Sequence, residues 1–224
     1  MTSEIVEPEL ERVKLSLAEE NLLEQIRNYI SRLEPLLHEI EGVMDDLFKQ
    51  KFESARTRIA KVYEDLKSVY ETRLSLTRYA SKVATSIANG FYYMSLVESL
   101  TLVTDYMHRL SLDLTILCSS RLSLSESLTI YIQNAVGQMR EYLSSVREML
   151  LYLIENPSKV SRVSTFAEKK FYDILQVLKN LYESLEYEKQ EPMLLDTITT
   201  LTSLAYSLRD LGEKTVWIYI VRAP

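Results

Sequence analysis

The sequence predicts an all-α fold in which two tandem three-helix repeats form a six-helix up-down bundle. Three observations lead there. Glycine and proline are scarce, four and five in 224 residues, which leaves little turn chemistry for a many-stranded sheet. Apolar residues recur three and four positions apart over long stretches, the spacing of one helix face. Finally, the stretch Ser95 to Cys118 returns as Asp196 to Tyr219. A shift of 101 positions carries Val97, Leu100, Val103, Met107 and Leu110 onto Ile198, Leu201, Leu204, Leu208 and Leu211, and Thr101 onto Thr202. A single domain over residues 1–224 follows, with one repeat over about 16–119 and another over about 123–221.

Met1 to about Glu11 carries no periodic pattern and reads as loose or weakly helical. Ser16 and Glu19 have the spacing of a capping box, so a first helix starts there. Leu22, Leu23, Ile26, Ile30, Leu33, Leu37, Ile40, Val43, Met44 and Leu47 keep its stripe almost to Gln50, and Pro35 predicts a kink near Ser31 to Glu34. A second helix resumes at Phe52 and runs to about Ala88, where Asn89 and Gly90 tolerate a left-handed terminus. The third begins between Phe91 and Ser95 and ends near Ser119. Ser123 and Glu126 have capping-box spacing before a fourth helix, which Asn156 and Pro157 stop. The fifth starts at Ser158 or Thr165 and reaches about Tyr187. After the charged Glu188 to Glu191, Pro192 opens the sixth at a first helical position, and it continues to Ile220. Short loops between six helices imply antiparallel neighbours.

Charge and composition narrow the function classes. A formal net charge of −6, with no dense lysine and arginine cluster, repels a phosphate backbone and argues against nucleic-acid binding. Cys118 is the single cysteine, so neither an intramolecular disulfide nor a multi-cysteine metal site can form, which suits a cytoplasmic location. The N-terminus lacks the basic start and apolar core of a signal peptide, and no apolar run approaches the roughly 18 residues of a membrane span. Direct membrane insertion is therefore not expected.

The order long helix, long helix, helix, repeated after about a hundred residues, resembles the PhoU family and the related proteins that accompany Pit-type phosphate transporters. The local likeness lies in Leu201, Leu204, Leu208, Leu211 and Glu213 of the last helix and in Leu100 to Asp105 of its first copy. The resemblance implies a cytoplasmic, non-enzymatic regulator that modulates phosphate uptake or its signalling by binding a transporter or sensor subunit; association with further copies as a homo-oligomer is left open. It also implies helical carboxylate pairs holding divalent or ferric metal ions. By that likeness Glu64, Asp105 and Glu168 are the candidate metal ligands. The sequence departs from the motif elsewhere: Thr101 and Thr202 replace acidic residues, Tyr206 replaces an aspartate, and Tyr172 and Ser68 stand one turn from Glu168 and Glu64.

Each candidate has a plainer reading. The plainer reading, which the sequence favours, leaves Glu64 and Asp105 solvated or salt-bridged, and Thr165 offers Glu168 a capping role, as Ser95 does Glu98. A metal-dependent enzyme would use Asp105, His108 and Glu64, but the repeat puts Tyr206 and Arg209 where a second ligand pair belongs. A structural helical module without metal is the other alternative. Nucleophilic catalysis has little footing, since Cys118 has no neighbouring histidine and reads as a buried inert thiol, while no phosphate-cradling glycine loop is present. His38 reads as exposed. The tyrosines at core spacing (Tyr70, Tyr106, Tyr142) and the lone Trp217 read as interface fillers with polar tips in water, with an aromatic cage or a protein-binding patch as the sharper alternatives.

Overall fold

Ser16 starts the first helix as its spacing predicts: its hydroxyl accepts from the Glu19 amide while the Glu19 carboxylate accepts from the Ser16 amide. The computed structural model describes residues 15–87, 89–121, 124–187 and 192–222. Over these the helices are α1 (Leu17–Phe48), α2 (Phe52–Ala84), α3 (Gly90–Ser120), α4 (Glu126–Glu155), α5 (Val160–Tyr187, preceded by a 3-10 turn at Pro157–Lys159) and α6 (Pro192–Arg222). Pro35 lies inside α1, which is helical on both sides of it. The expectations for Met1 to Glu11, Ser123 and Glu188 to Glu191 fall outside the described residues.

Several boundaries differ from the sequence reading. The second helix ends at Ala84, not near Ala88, because Asn89 is already the left-handed N-cap of α3 at φ 59°. Gly90 is needed for space and not for a positive φ: a Cβ there would lie 2.0 Å from the Ala84 carbonyl oxygen. At α4 the cap is Ser125, whose hydroxyl accepts from the Leu128 amide. The other two capping boxes do not form. Ser95 sits buried inside α3, and the Thr165 hydroxyl, inside α5, donates to the Ser161 carbonyl. In each case the helix begins upstream of the box, so no free amides remain for it to cap.

The helices pack as antiparallel neighbours. α1 lies on α2 and α4, α3 on α2 and α6, and α5 on α4 and α6. Exchanging α1–α3 with α4–α6 leaves this set of neighbours unchanged. The core runs through all six helices, and the five apolar pairs related by the shift of 101 positions are all buried to 2% exposure or less. Each such side chain contributes on the order of 1.5–3 kcal/mol by leaving water.

Two hydroxyl-carboxylate bonds tie the halves together across the α3–α6 interface. Ser99, 1% exposed, donates to Asp210, and Thr200, also 1% exposed, donates to Asp113 at 2.6 Å. Ser99 and Thr200 are themselves related by the shift of 101 positions, so each half supplies one buried hydroxyl and one carboxylate. Thr200→Val keeps the shape and removes the donor. It should cost about 1 kcal/mol, read as a lower urea midpoint at unchanged m-value. Along α1–α4 the ties are ionic: Arg147 Nε lies 2.8 Å from Glu34 Oε1 and Arg140 Nε 3.4 Å from Glu41 Oε1. Burial pushes the Glu34 carboxyl above its ordinary range, with the Arg147 charge opposing.

Candidate functional site

The three carboxylates singled out from sequence do not meet. Glu64 is exposed on α2, Asp105 is half-buried on α3, and Glu168 is exposed on α5 in the other half. Their surroundings define two seams, α2–α3 and α5–α6, which the duplication makes counterparts.

In the α2–α3 seam Asp105 Oδ1 accepts from both the Tyr70 hydroxyl, at 2.5 Å, and Arg73 Nη1, at 2.8 Å. The Arg73 guanidinium also stacks 4.2 Å from the centre of the Tyr70 ring. Burial, reinforced by the bond and charge of Asp105, holds the Tyr70 hydroxyl protonated, its pKa pushed up to about 12. His108, one turn along α3 from Asp105, turns to the rings of Tyr63 and Tyr70, 5.4 and 5.8 Å away, rather than to the carboxylate.

This donor set does not fit a metal ion. Hard cations need several converging oxygen ligands. Here an arginine already supplies the cation beside Asp105, and among the described residues no three His, Cys, Asp or Glu side chains gather. Thr101 and Thr202, at the degenerate positions, turn their hydroxyls to carbonyls of their own helices, Val97 and Ile198. Because Asp105 is 45% exposed, the ion pair is partly screened. Arg73→Met should therefore lower stability by only about 0.5–1 kcal/mol, and added 0.5 M salt should shrink the difference between variant and parent.

The α5–α6 seam is differently made. Tyr206 and Arg209 occupy the places of Asp105 and His108, and both meet Phe171: the Tyr206 ring lies 5.7 Å from it edge-on, and the Arg209 guanidinium 5.0 Å above it. Arg209 is also paired with Glu213 at 2.7 Å. Beyond Phe171, towards the start of α5, a cleft of about 230 Å³ lies between the helices. Tyr142 and Met149 of α4 floor it, and Phe171, Val216, Trp217 and Ile220 are among its walls. Gly212 lets α6 pass close to the floor, since a Cβ there would lie 2.2 Å from the Tyr142 hydroxyl oxygen. Burial drives the Tyr142 pKa upward, with the charge of Glu213 adding to it.

The remaining sequence candidates fall into place. Cys118 is buried, its Sγ 3.3 Å from the Phe52 carbonyl oxygen, and burial raises its pKa, as expected of an inert thiol. His38 is exposed, with Nδ1 3.3 Å from Glu41 and 3.2 Å from Arg140. Tyr142 is buried and Tyr70 and Tyr106 half-buried, whereas Trp217 is 45% exposed at the cleft. Sequence reasoning missed the Ser99 and Thr200 bonds, although their common shift of 101 positions was available as a signal. It also missed a polar node joining Glu19, Tyr93 and Arg222, whose members lie 74 to 203 residues apart and leave no local trace.

Neither a protein-family model nor a curated protein sequence matches the chain. Solved structures do. One, from Shewanella oneidensis MR-1 and described as a PhoU-like phosphate regulatory protein, aligns with a TM-score of 0.71 at 11% identity, over 90% of this chain and 99% of that one. A second PhoU-like protein from the same organism aligns at 0.70 and 10% identity, over 89% and 99%. The likeness extends over nearly the whole of both molecules, and the chain has the PhoU-like six-helix fold.

Proposed function

We propose that the protein is a non-enzymatic regulator that modulates phosphate uptake or its signalling by binding a transporter or sensor subunit at the cytoplasmic face of the membrane. The observation that carries this reading is the shared fold with a protein described as phosphate-regulatory, matched along almost its entire length. Two features of the molecule support it. No helix among the described residues is long and apolar enough to cross a membrane, so contact with a transporter would be made from outside the bilayer. And α3 and α6 keep large apolar side chains in water: Leu102, Leu112 and Ile116 on one, Tyr206, Trp217 and Ile220 on the other, each between 45% and 58% exposed. Exposed aliphatic and aromatic groups of this kind are what protein interfaces bury.

Binding alone does not regulate. The protein must hold one conformation of its partner more tightly than another, and the shift it produces is limited by that difference in affinity. The test is deletion of the gene with radiolabelled phosphate uptake measured in replete and starved cells, together with co-purification against the phosphate transporter of the same cell. Altered uptake, restored by the intact gene, is the expected result. Unchanged uptake in both conditions, with no transporter retained, would overturn the reading.

A further inference from the structure

The two seams are copies in sequence order but not in closure. In the first, contacts cross from α2 to α3 along its length: Phe52 to Cys118, Tyr63 to His108, Tyr70 and Arg73 to Asp105, and Ser81 to Met94. In the second, Tyr182 meets Thr202 and Phe171 meets Tyr206 and Arg209, and beyond that the seam is open. The opening is enclosed by three helices, α4 below and α5 and α6 on either side. An apolar cavity of about 150 Å³ is enough to hold benzene, so about 230 Å³ holds one ring with a short chain.

The chemistry of the walls selects the ligand. Tyr142, Phe171 and Trp217 present aromatic surface, and Met149 and Val216 aliphatic surface. Three ionised side chains line the cleft. Arg209 and Glu213 neutralise each other at 2.7 Å, while Glu168 has no hydrogen bond or ion pair among the described residues. Arg209 and Lys214 already lie over the Phe171 and Trp217 rings, at 5.0 and 5.9 Å, so it is the negative charge of Glu168 at the edge of the apolar cleft that is complementary to a cation on an apolar body.

We propose that this cleft binds a small organic ammonium, with an aromatic or branched aliphatic group seated against Tyr142, Phe171 and Trp217 and the ammonium next to Glu168. The site does not depend on the regulatory reading above. Trp217 is the only tryptophan in the chain and lines the cleft, so its fluorescence reports occupancy directly.

The experiment titrates the full chain with phenethylammonium, with 3-phenylpropionate and with toluene, following Trp217 emission. Phenethylammonium should shift the emission saturably and bind about tenfold more tightly than the carboxylate. Glu168→Gln, at an exposed helical position, should erase that preference while leaving toluene binding and the helical circular dichroism unchanged. No saturable shift with the ammonium, equal affinity for the two ions, or a preference that survives Glu168→Gln would each overturn the proposal. A capped Phe-Lys dipeptide, titrated in parallel, distinguishes a free amine from a partner's side chain. Weaker binding than phenethylammonium is expected, and tighter binding would overturn the small-ligand assignment. Loss of phosphate regulation with ammonium binding intact, or the reverse, separates this site from the function proposed above.

Discussion

Glu19→Ala should lower the unfolding free energy by about 2–3 kcal/mol, because one carboxylate serves two structures. Oε2 accepts from the Ser16 amide and hydroxyl and completes the cap of α1, a role worth about 1 kcal/mol. Oε1 accepts from the Tyr93 hydroxyl at 2.9 Å and lies 3.4 Å from Arg222, so the start of α1 is held to the start of α3 and the end of α6. Tyr93 is 1% exposed, and the substitution takes away the acceptor of its buried hydroxyl. Ser16→Ala, which removes the cap alone, should cost about 1 kcal/mol. Equal effects of the two substitutions on the urea midpoint would refute a role for the node.

The same carboxylate gives acid unfolding a direction. Burial raises the Glu19 pKa, but the bonds from Ser16 and Tyr93 and the charge of Arg222 outweigh it and hold the group below its ordinary value of 4.5. Its contribution is therefore complete above that value and is lost as pH falls through the lower, folded-state one. Asp46, bonded by Ser54 and Arg58 against the opposing effect of burial, and Glu39, bonded by Lys61 and Arg58, are depressed likewise. Glu34 has the opposite sign: its raised pKa means that acid relieves a cost present at neutral pH. Stability should fall below about pH 4.5 in the parent and less steeply in Glu19→Gln, as pH-dependent urea titration would show.

Gly212→Ala is expected to cost about 1–2 kcal/mol net, although alanine is the better helix former by about 1 kcal/mol. The added Cβ would lie 2.2 Å from the Tyr142 hydroxyl oxygen and 3.1 Å from Cζ, so the Tyr142 ring, 6.4 Å from Phe171 at the floor of the cleft, would have to shift and give up that edge-on packing. Tyr142→Phe removes the nearest atom and gives up only a long bond, 3.4 Å, to the Arg209 carbonyl. The double variant should therefore recover about half of the loss, a coupling of about 1 kcal/mol in a double-mutant cycle. A Gly212→Ala chain more stable than the parent, with no coupling to residue 142, would remove this account of why α6 carries a glycine there.

What sequence reveals about this molecule follows from the range of the interaction. The amphipathic stripes, the Ser16 cap and the repeat are written within a helix or between two copies of one, and pattern alone recovers them. Helix starts were harder to place, since Thr165 and Ser95 satisfy the spacing of a cap yet lie one turn or more inside their helices. The candidate site was legible only as positions. That Asp105 faces an arginine, and not another carboxylate, depends on the register of α2 against α3, which no spacing within either helix encodes. The open α5–α6 seam is likewise a difference in how two similar helix pairs dock. Trp217 shows the limit well: its type invited a binding role, but its partial exposure beside Glu168 and Phe171 emerges only from three helices together.

The bond between Arg222 and Glu19 brings the end of α6 to the beginning of α1, so a short linker would close the bundle into a ring. Opened instead between α3 and α4, the chain would run α4, α5, α6, α1, α2, α3. Because each half has the same neighbours as the other, that circular permutant would present the same succession of helix pairings, with the open seam read first and the closed one second.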